Sequence, residues 1–124
     1  MSSIRKTILV IDDNPLHIEL VEQMLMGQYR VIGSENPLSV LNLVLEHTPD
    51  LLLLDLSMPA LDGHKVCRVL KRSDFIKKPP LIYIYSAADE EILEQKTKEA
   101  QADGYIQKGL NVSGFLQTVE KILS

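Results

Sequence analysis

One cysteine, Cys67, is all that 124 residues provide, so no disulfide can close within the chain and the paired spacing of a zinc site is missing. A reducing compartment, the cytoplasm, suits such a sequence. Positive charge is also short: 13 Lys and Arg face 17 Asp and Glu, a net charge of −4. With no basic stripe, the chain is not one that lives by neutralising nucleic-acid phosphates. Long apolar runs are absent. The stretch Ile8 to Ile11 meets two aspartates at once, far too soon for a signal peptide or a membrane span. No repeat or low-complexity linker divides the sequence, and the Pro79-Pro80 pair behind Lys77-Lys78 reads as a surface loop, not a boundary. What remains is ordinary globular material, 45% hydrophobic and 24% charged, of a size that supports one core. One domain across residues 1–124, carrying one site, is expected.

Short β-branched and leucine-rich runs alternate with longer stretches of helical spacing, a β/α rhythm. Strands are predicted over residues 7–11, 29–33, 51–54, 81–85 and 104–107. Between them, residues 15–26 repeat apolar side chains at Leu16, Leu20 and Met24, and Asn36 with Pro37 offers an N-cap and first-turn proline for a second helix. Three more helices are predicted over 63–72, 89–100 and 112–123, the fourth opening on an acidic turn suited to a helix N-terminus. Asp62-Gly63 suits the turn into the third. The tally is (βα)5, and a run as continuous as Leu51 to Leu54 implies a parallel sheet covered by helices on both faces.

Parallel open sheets bind ligands beyond the carboxyl ends of their strands, and four of the five predicted ends carry reactive groups. They are Asp12-Asp13, Asp55, Ser86 and Lys108. Taken singly, each has an ordinary reading as turn former, helix-entry residue or solvated charge. Brought to one edge, three carboxylates repel one another, which raises their proton affinity or demands a cation, and an oxygen set favours a hard divalent ion such as Mg2+. With Lys108 added, the charges balance and leave room for an incoming anion such as a phosphoryl group.

Asp12-Asp13, Asp55, Ser86 and Lys108, in that order, resemble the receiver domains of two-component response regulators, as does the segment from Pro49 to Gly63 around Asp55. The resemblance spans nearly the whole chain and implies a flavodoxin-like, doubly wound α/β sheet in the order 2-1-3-4-5. It implies that Asp12, Asp13, Asp55 and the Ser57 carbonyl hold Mg2+, and that Asp55 accepts a phosphoryl group from a histidine kinase or phosphotransfer protein. Ser86 and Lys108 would bind phosphoryl oxygens. Ser86 and Tyr105 would form the switch, read by a downstream target on the face of the fourth helix, fifth strand and fifth helix. The state implied is a monomer or a weak phosphorylation-linked dimer, either free-standing or cut from a chain with an output domain. Such a domain catalyses only its own phosphorylation and dephosphorylation, touching neither nucleic acid nor membrane.

Two departures stand out. Glycine, Gly109, follows Lys108 where the family has proline, and Ser86 replaces the commoner threonine. The first keeps open an alternative, a pseudo-receiver that binds partners without being phosphorylated. Tyr83 and Tyr85 share one face of the fourth strand for no reason visible in sequence. A dinucleotide or flavin site is excluded, because Asp12-Asp13-Asn14-Pro15 puts acid where a phosphate loop needs glycine and N–H groups. An aspartyl-phosphate hydrolase of another family would want an acid at position 57, which is serine. Cys67 and the three histidines, His17, His47 and His64, lack the mutual spacing of a metal site and read as background.

Overall fold

Leu51–Leu54 forms a strand with all four side chains fully buried, which only a central position with cover on both faces permits. In the computed structural model, residues 5–58, 63–72, 74 and 76–124 are described, residues 63 and 64 by backbone alone. The strands are β1 (Thr7–Ile11), β2 (Arg30–Ser34), β3 (Leu51–Leu54), β4 (Leu81–Ser86) and β5 (Gly104–Gln107). The helices are α1 (Pro15–Leu25), α2 (Val40–His47), α3 (Gly63–Arg72), α4 (Glu90–Ala100) and α5 (Val112–Leu123). All pairings are parallel and the order is β2-β1-β3-β4-β5, the predicted doubly wound α/β sheet. Among the described residues, no helix is long and apolar enough to cross a membrane.

Strand alternation splits the core in two. Ile8, Val10, Leu51, Leu53, Tyr85 and Ile106 face α1 and α5, while Leu9, Ile11, Leu52, Leu54 and Ile82 face α2, α3 and Ala100 at the end of α4. Each fully buried leucine contributes about 1.5–3 kcal/mol, so β1 and β3 hold the sheet together and anchor the loops at their carboxyl ends.

Several expectations change in detail. The buried stripe of α1 is Ile18, Val21, Met24 and Leu25; Leu16 and Leu20 are 69% and 48% exposed, because their four-residue spacing runs down the helix's outer flank. Asn36 does cap, accepting from the Leu38 N–H at 3.0 Å, but it opens a single 3-10 turn over Pro37–Ser39 before α2 begins at Val40. β2 starts and ends one residue later than predicted, and β4 runs one further, to include Ser86. The turn at Asp62 lies outside the described residues.

Tyr83 and Tyr85 now have a reason. Tyr83 lies over Gly104, where an added Cβ would fall 2.6 Å from its ring. Tyr85 is buried against Phe115 of α5, ring centroids 5.5 Å apart.

Candidate functional site

Backbone hydrogen bonds carry the sheet ladder one residue beyond the strands. The Asp12 N–H donates to Ser34 O at 3.2 Å, Asp55 N–H to Ile11 O at 3.1 Å and Lys108 N–H to Ser86 O at 2.8 Å. Three predicted site residues thus start from backbone fixed by a neighbouring strand.

Their side chains meet. The Lys108 ammonium donates to Asp12 Oδ2 at 2.7 Å and to Asp55 Oδ2 at 3.3 Å, with the three side chains only 12%, 1% and 5% exposed respectively. Two buried carboxylates against one ammonium leave the cluster one charge negative. Nζ also stands 5.3 Å from the centre of the Tyr85 ring, a cation–π contact that steadies the lysine. Burial first, and then the charge of Asp12, push the Tyr85 phenol up to about 12, so the wall stays neutral.

Asp55 is held from both sides. The Ser57 N–H and hydroxyl each donate to its Oδ1 at 2.9 Å, while Oδ2 faces Lys108. Burial alone would raise its proton affinity; the Ser57 N–H, the Lys108 ammonium and the Ser57 hydroxyl together outweigh it and hold the carboxyl below its ordinary value. Asp12 Oδ1 accepts from the Asn14 N–H at 3.0 Å.

The remaining predicted residues lie further out. Asp13 is exposed. Ser86 is half-buried, its hydroxyl accepting from the Ala88 N–H at 3.2 Å. It borders a cleft with Leu56, Ser57, Ile84, Ile92 and Lys96. Tyr105 pairs with Ile84 across β4 and β5, hence on the same sheet face as Ser86. Its phenol is raised by the burial it has and by Glu90 and Glu94 of α4.

Two residues were missed in the sequence. Gln107 donates from Nε2 to the Ala88 carbonyl at 3.0 Å, tying the loop after β4 to β5. His17, which spacing marks as background, lies against the site: its Nδ1 is 2.8 Å from the Lys108 ammonium and 3.4 Å from Asp12 Oδ2. A signal existed. Asn14 caps α1, accepting from the Leu16 N–H at 3.0 Å. That puts His17 at the third helical position, where side chains tilt back towards the helix N-terminus and thus towards the strand ends.

Residues 8–120 match the response regulator receiver domain. The chain belongs to that family. It is 33% identical over 122 residues to the polar-differentiation response regulator DivK of Brucella anthropi, covering 95% of this chain and 96% of that one. A solved receiver domain from Bermanella marisrubri is 30% identical with a TM-score of 0.81, covering 98% of this receiver and 100% of the other. A chemotaxis response regulator of Vibrio cholerae shares the fold, with a TM-score of 0.82 at 21% identity over 97% of this chain and 100% of that one. Receivers are signalling domains of two-component systems, and Asp12 and Asp55 in this one cluster as a metal site would.

The Lys108–Gly109 peptide bond is trans, and Gly109 adopts φ +109°. Proline is locked near φ −65°, so the family's usual residue does not fit this backbone. Gly109→Pro is expected to lose at least ~1 kcal/mol; Gly109→Ala is strained at this φ as well, although its Cβ meets no neighbour, and should lose less because alanine keeps the N–H and is not locked in φ. Urea midpoints of the two variants check the order; a proline variant as stable as the parent would show that the loop rearranges freely.

Proposed function

We propose that this receiver is a phosphorylation-dependent switch in which Asp55 takes a phosphoryl group from a phosphohistidine on a histidine kinase or phosphotransfer protein. The observation that carries the reading is the Lys108 ammonium between the buried carboxylates of Asp12 and Asp55. It marks a point where positive charge is wanted and where a phosphoryl oxygen can later be met. Oδ1 accepts from two Ser57 donors and Oδ2 only from Lys108 at 3.3 Å, so Oδ2 is the less committed oxygen and the one we assign to the attack. The phosphorus–nitrogen bond of the donor breaks as the phosphorus–oxygen bond to Asp55 forms, and the electron pair returns to the donor imidazole. Little covalent help is needed; in-line placement and charge compensation suffice.

The donor set fits a divalent cation, since the ammonium already stands among atoms that ligate cations. Asp12, Asp13, Asp55 and the Ser57 carbonyl are the residues that would hold Mg2+, which supplies positive charge for the transferring oxygens. Lys108 and the Ser86 hydroxyl bind two phosphoryl oxygens in the product. As Ser86 turns towards them, Tyr105, on the same sheet face, moves inward, and a downstream target or a fused output domain reads α4, β5 and α5. Residues 1–124 act as one receiver domain in the cytoplasm, as a monomer or a weak phosphorylation-linked dimer.

Intact-mass spectrometry after incubation with acetyl phosphate or phosphoramidate tests this. One phosphoryl mass is expected with Mg2+, none without it, and none in Asp55→Asn. A folded protein that takes no phosphoryl group from any donor would favour the pseudo-receiver reading.

A further inference from the structure

We propose that His17 is a nitrogen ligand to the divalent ion of this site and tilts its selectivity from Mg2+ towards Mn2+ and similar transition ions. The inference rests on the metal site proposed above but adds a residue and an ion preference to it. Among the described residues, Asp12, His17 and Asp55 each present one ligand atom, all within 4.8 Å of one another. The Lys108 ammonium picks out the same three residues, lying 2.7 Å from Asp12 Oδ2, 2.8 Å from His17 Nδ1 and 3.3 Å from Asp55 Oδ2.

An ammonium has donors only. For a contact of 2.8 Å, His17 must therefore turn a lone pair from Nδ1 towards the cation and carry its proton on Nε2. The adjacent Asn14 favours the other tautomer, since its amide oxygen is committed to the Leu16 N–H and the Nδ2 that faces Nε2 at 3.4 Å is itself a donor; the ammonium contact is shorter by more than half an ångström and charged, and it decides. Nε2–H is left to water, which the 42% exposure of the His17 side chain allows. A metal-bound imidazole needs the same arrangement, one nitrogen on the ion and the other donating outward. Position is not left to chance either, because His17 sits in the first turn of a capped helix.

Imidazole suits first-row transition ions, whereas Mg2+ prefers carboxylate, carbonyl and water oxygens; Mn2+ shares that oxygen preference and is the mildest member of the transition series, yet takes a nitrogen ligand more readily than Mg2+ does. An ion held by Asp12, Asp55 and His17 would stand in for the Lys108 ammonium at Asp12 and His17. The displaced ammonium is then available to an anion on Asp55, so ion binding and lysine release are one event.

The test is metal binding, read apart from phosphorylation. The whole chain, stripped of metal, is titrated calorimetrically with Mn2+ and with Mg2+, alongside His17→Ala and His17→Gln. Pulsed EPR of the Mn2+ form reads directly whether nitrogen is bound. Nitrogen modulation is expected in the parent and absent in both variants, with Mn2+ affinity falling roughly tenfold or more and Mg2+ affinity far less, in keeping with the cost of disturbing a ligand. Bound Mn2+ without nitrogen modulation, or modulation surviving in His17→Ala, would overturn the role of His17 and leave the phosphoacceptor site standing. Failure of both ions to bind would remove the metal site itself and this inference with it.

Discussion

Lys108→Met should unfold at markedly lower urea than the parent protein, by about 3 kcal/mol in the presence of EDTA, and should take up phosphoryl groups poorly. Methionine keeps most of the lysine stem, so the packing against Tyr85 changes little. What is lost is the one positive charge between the buried carboxylates of Asp12 and Asp55. Two desolvated anions side by side are unstable unless one binds a proton or a cation replaces the ammonium. The deficit should therefore shrink when Mg2+ is added. Circular dichroism across a urea series, with EDTA and with Mg2+, measures both quantities. If the variant matched the parent in EDTA, the ammonium would not be compensating these charges at all.

The second large effect lies a layer deeper. Phe115 is 1% exposed and packs on Tyr85, which in turn forms the wall beside the Lys108 ammonium. Phe115→Ala should cost about 3–5 kcal/mol, the usual range for emptying an aromatic site in a packed core. Phe115→Leu, closer in volume, should cost less than about 1.5 kcal/mol. Beyond stability, the alanine variant frees the Tyr85 ring, so phosphoryl uptake should slow even where the protein remains folded. Equal uptake by alanine and leucine variants under folding conditions would mean that the wall does not position Lys108. The urea midpoints settle the energetic half independently.

Much of this architecture was legible in the sequence because its signals are local. β1 and β3 are unbroken apolar runs whose ends are marked by Asp12 and Asp55, so their limits could be read to the residue. β2 was misplaced by one residue at both ends and β4 by one at its carboxyl end, where exposed and half-buried side chains give no sharp edge. The face of α1 was misread because Leu16 and Leu20 are apolar yet exposed, and composition cannot tell a core leucine from a surface one.

At the site, the residues legible in advance were those announced by strand ends. His17 was not, because only its spacing to other histidines and to cysteine was weighed, whereas its partners, Asp12 and Lys108, are set by topology. Gly109 was visible as a departure, but its meaning needed the backbone angle of +109°. The paired tyrosines of β4 became intelligible only with their neighbours, Gly104 for one and Phe115 for the other.

The hydrogen bonds that extend the ladder past β1, β3 and β5 also bear on speed and order. Asp12, Asp55 and Lys108 have little backbone freedom left to surrender to a ligand at this edge, since that entropy, about 1–2 kcal/mol per residue, was lost during folding. Recognition at this edge therefore consists of side-chain rotations, which are fast, while slower rearrangement is left to the adjoining loops. A site prepared in this way can fill and empty many times without disturbing the sheet that carries it.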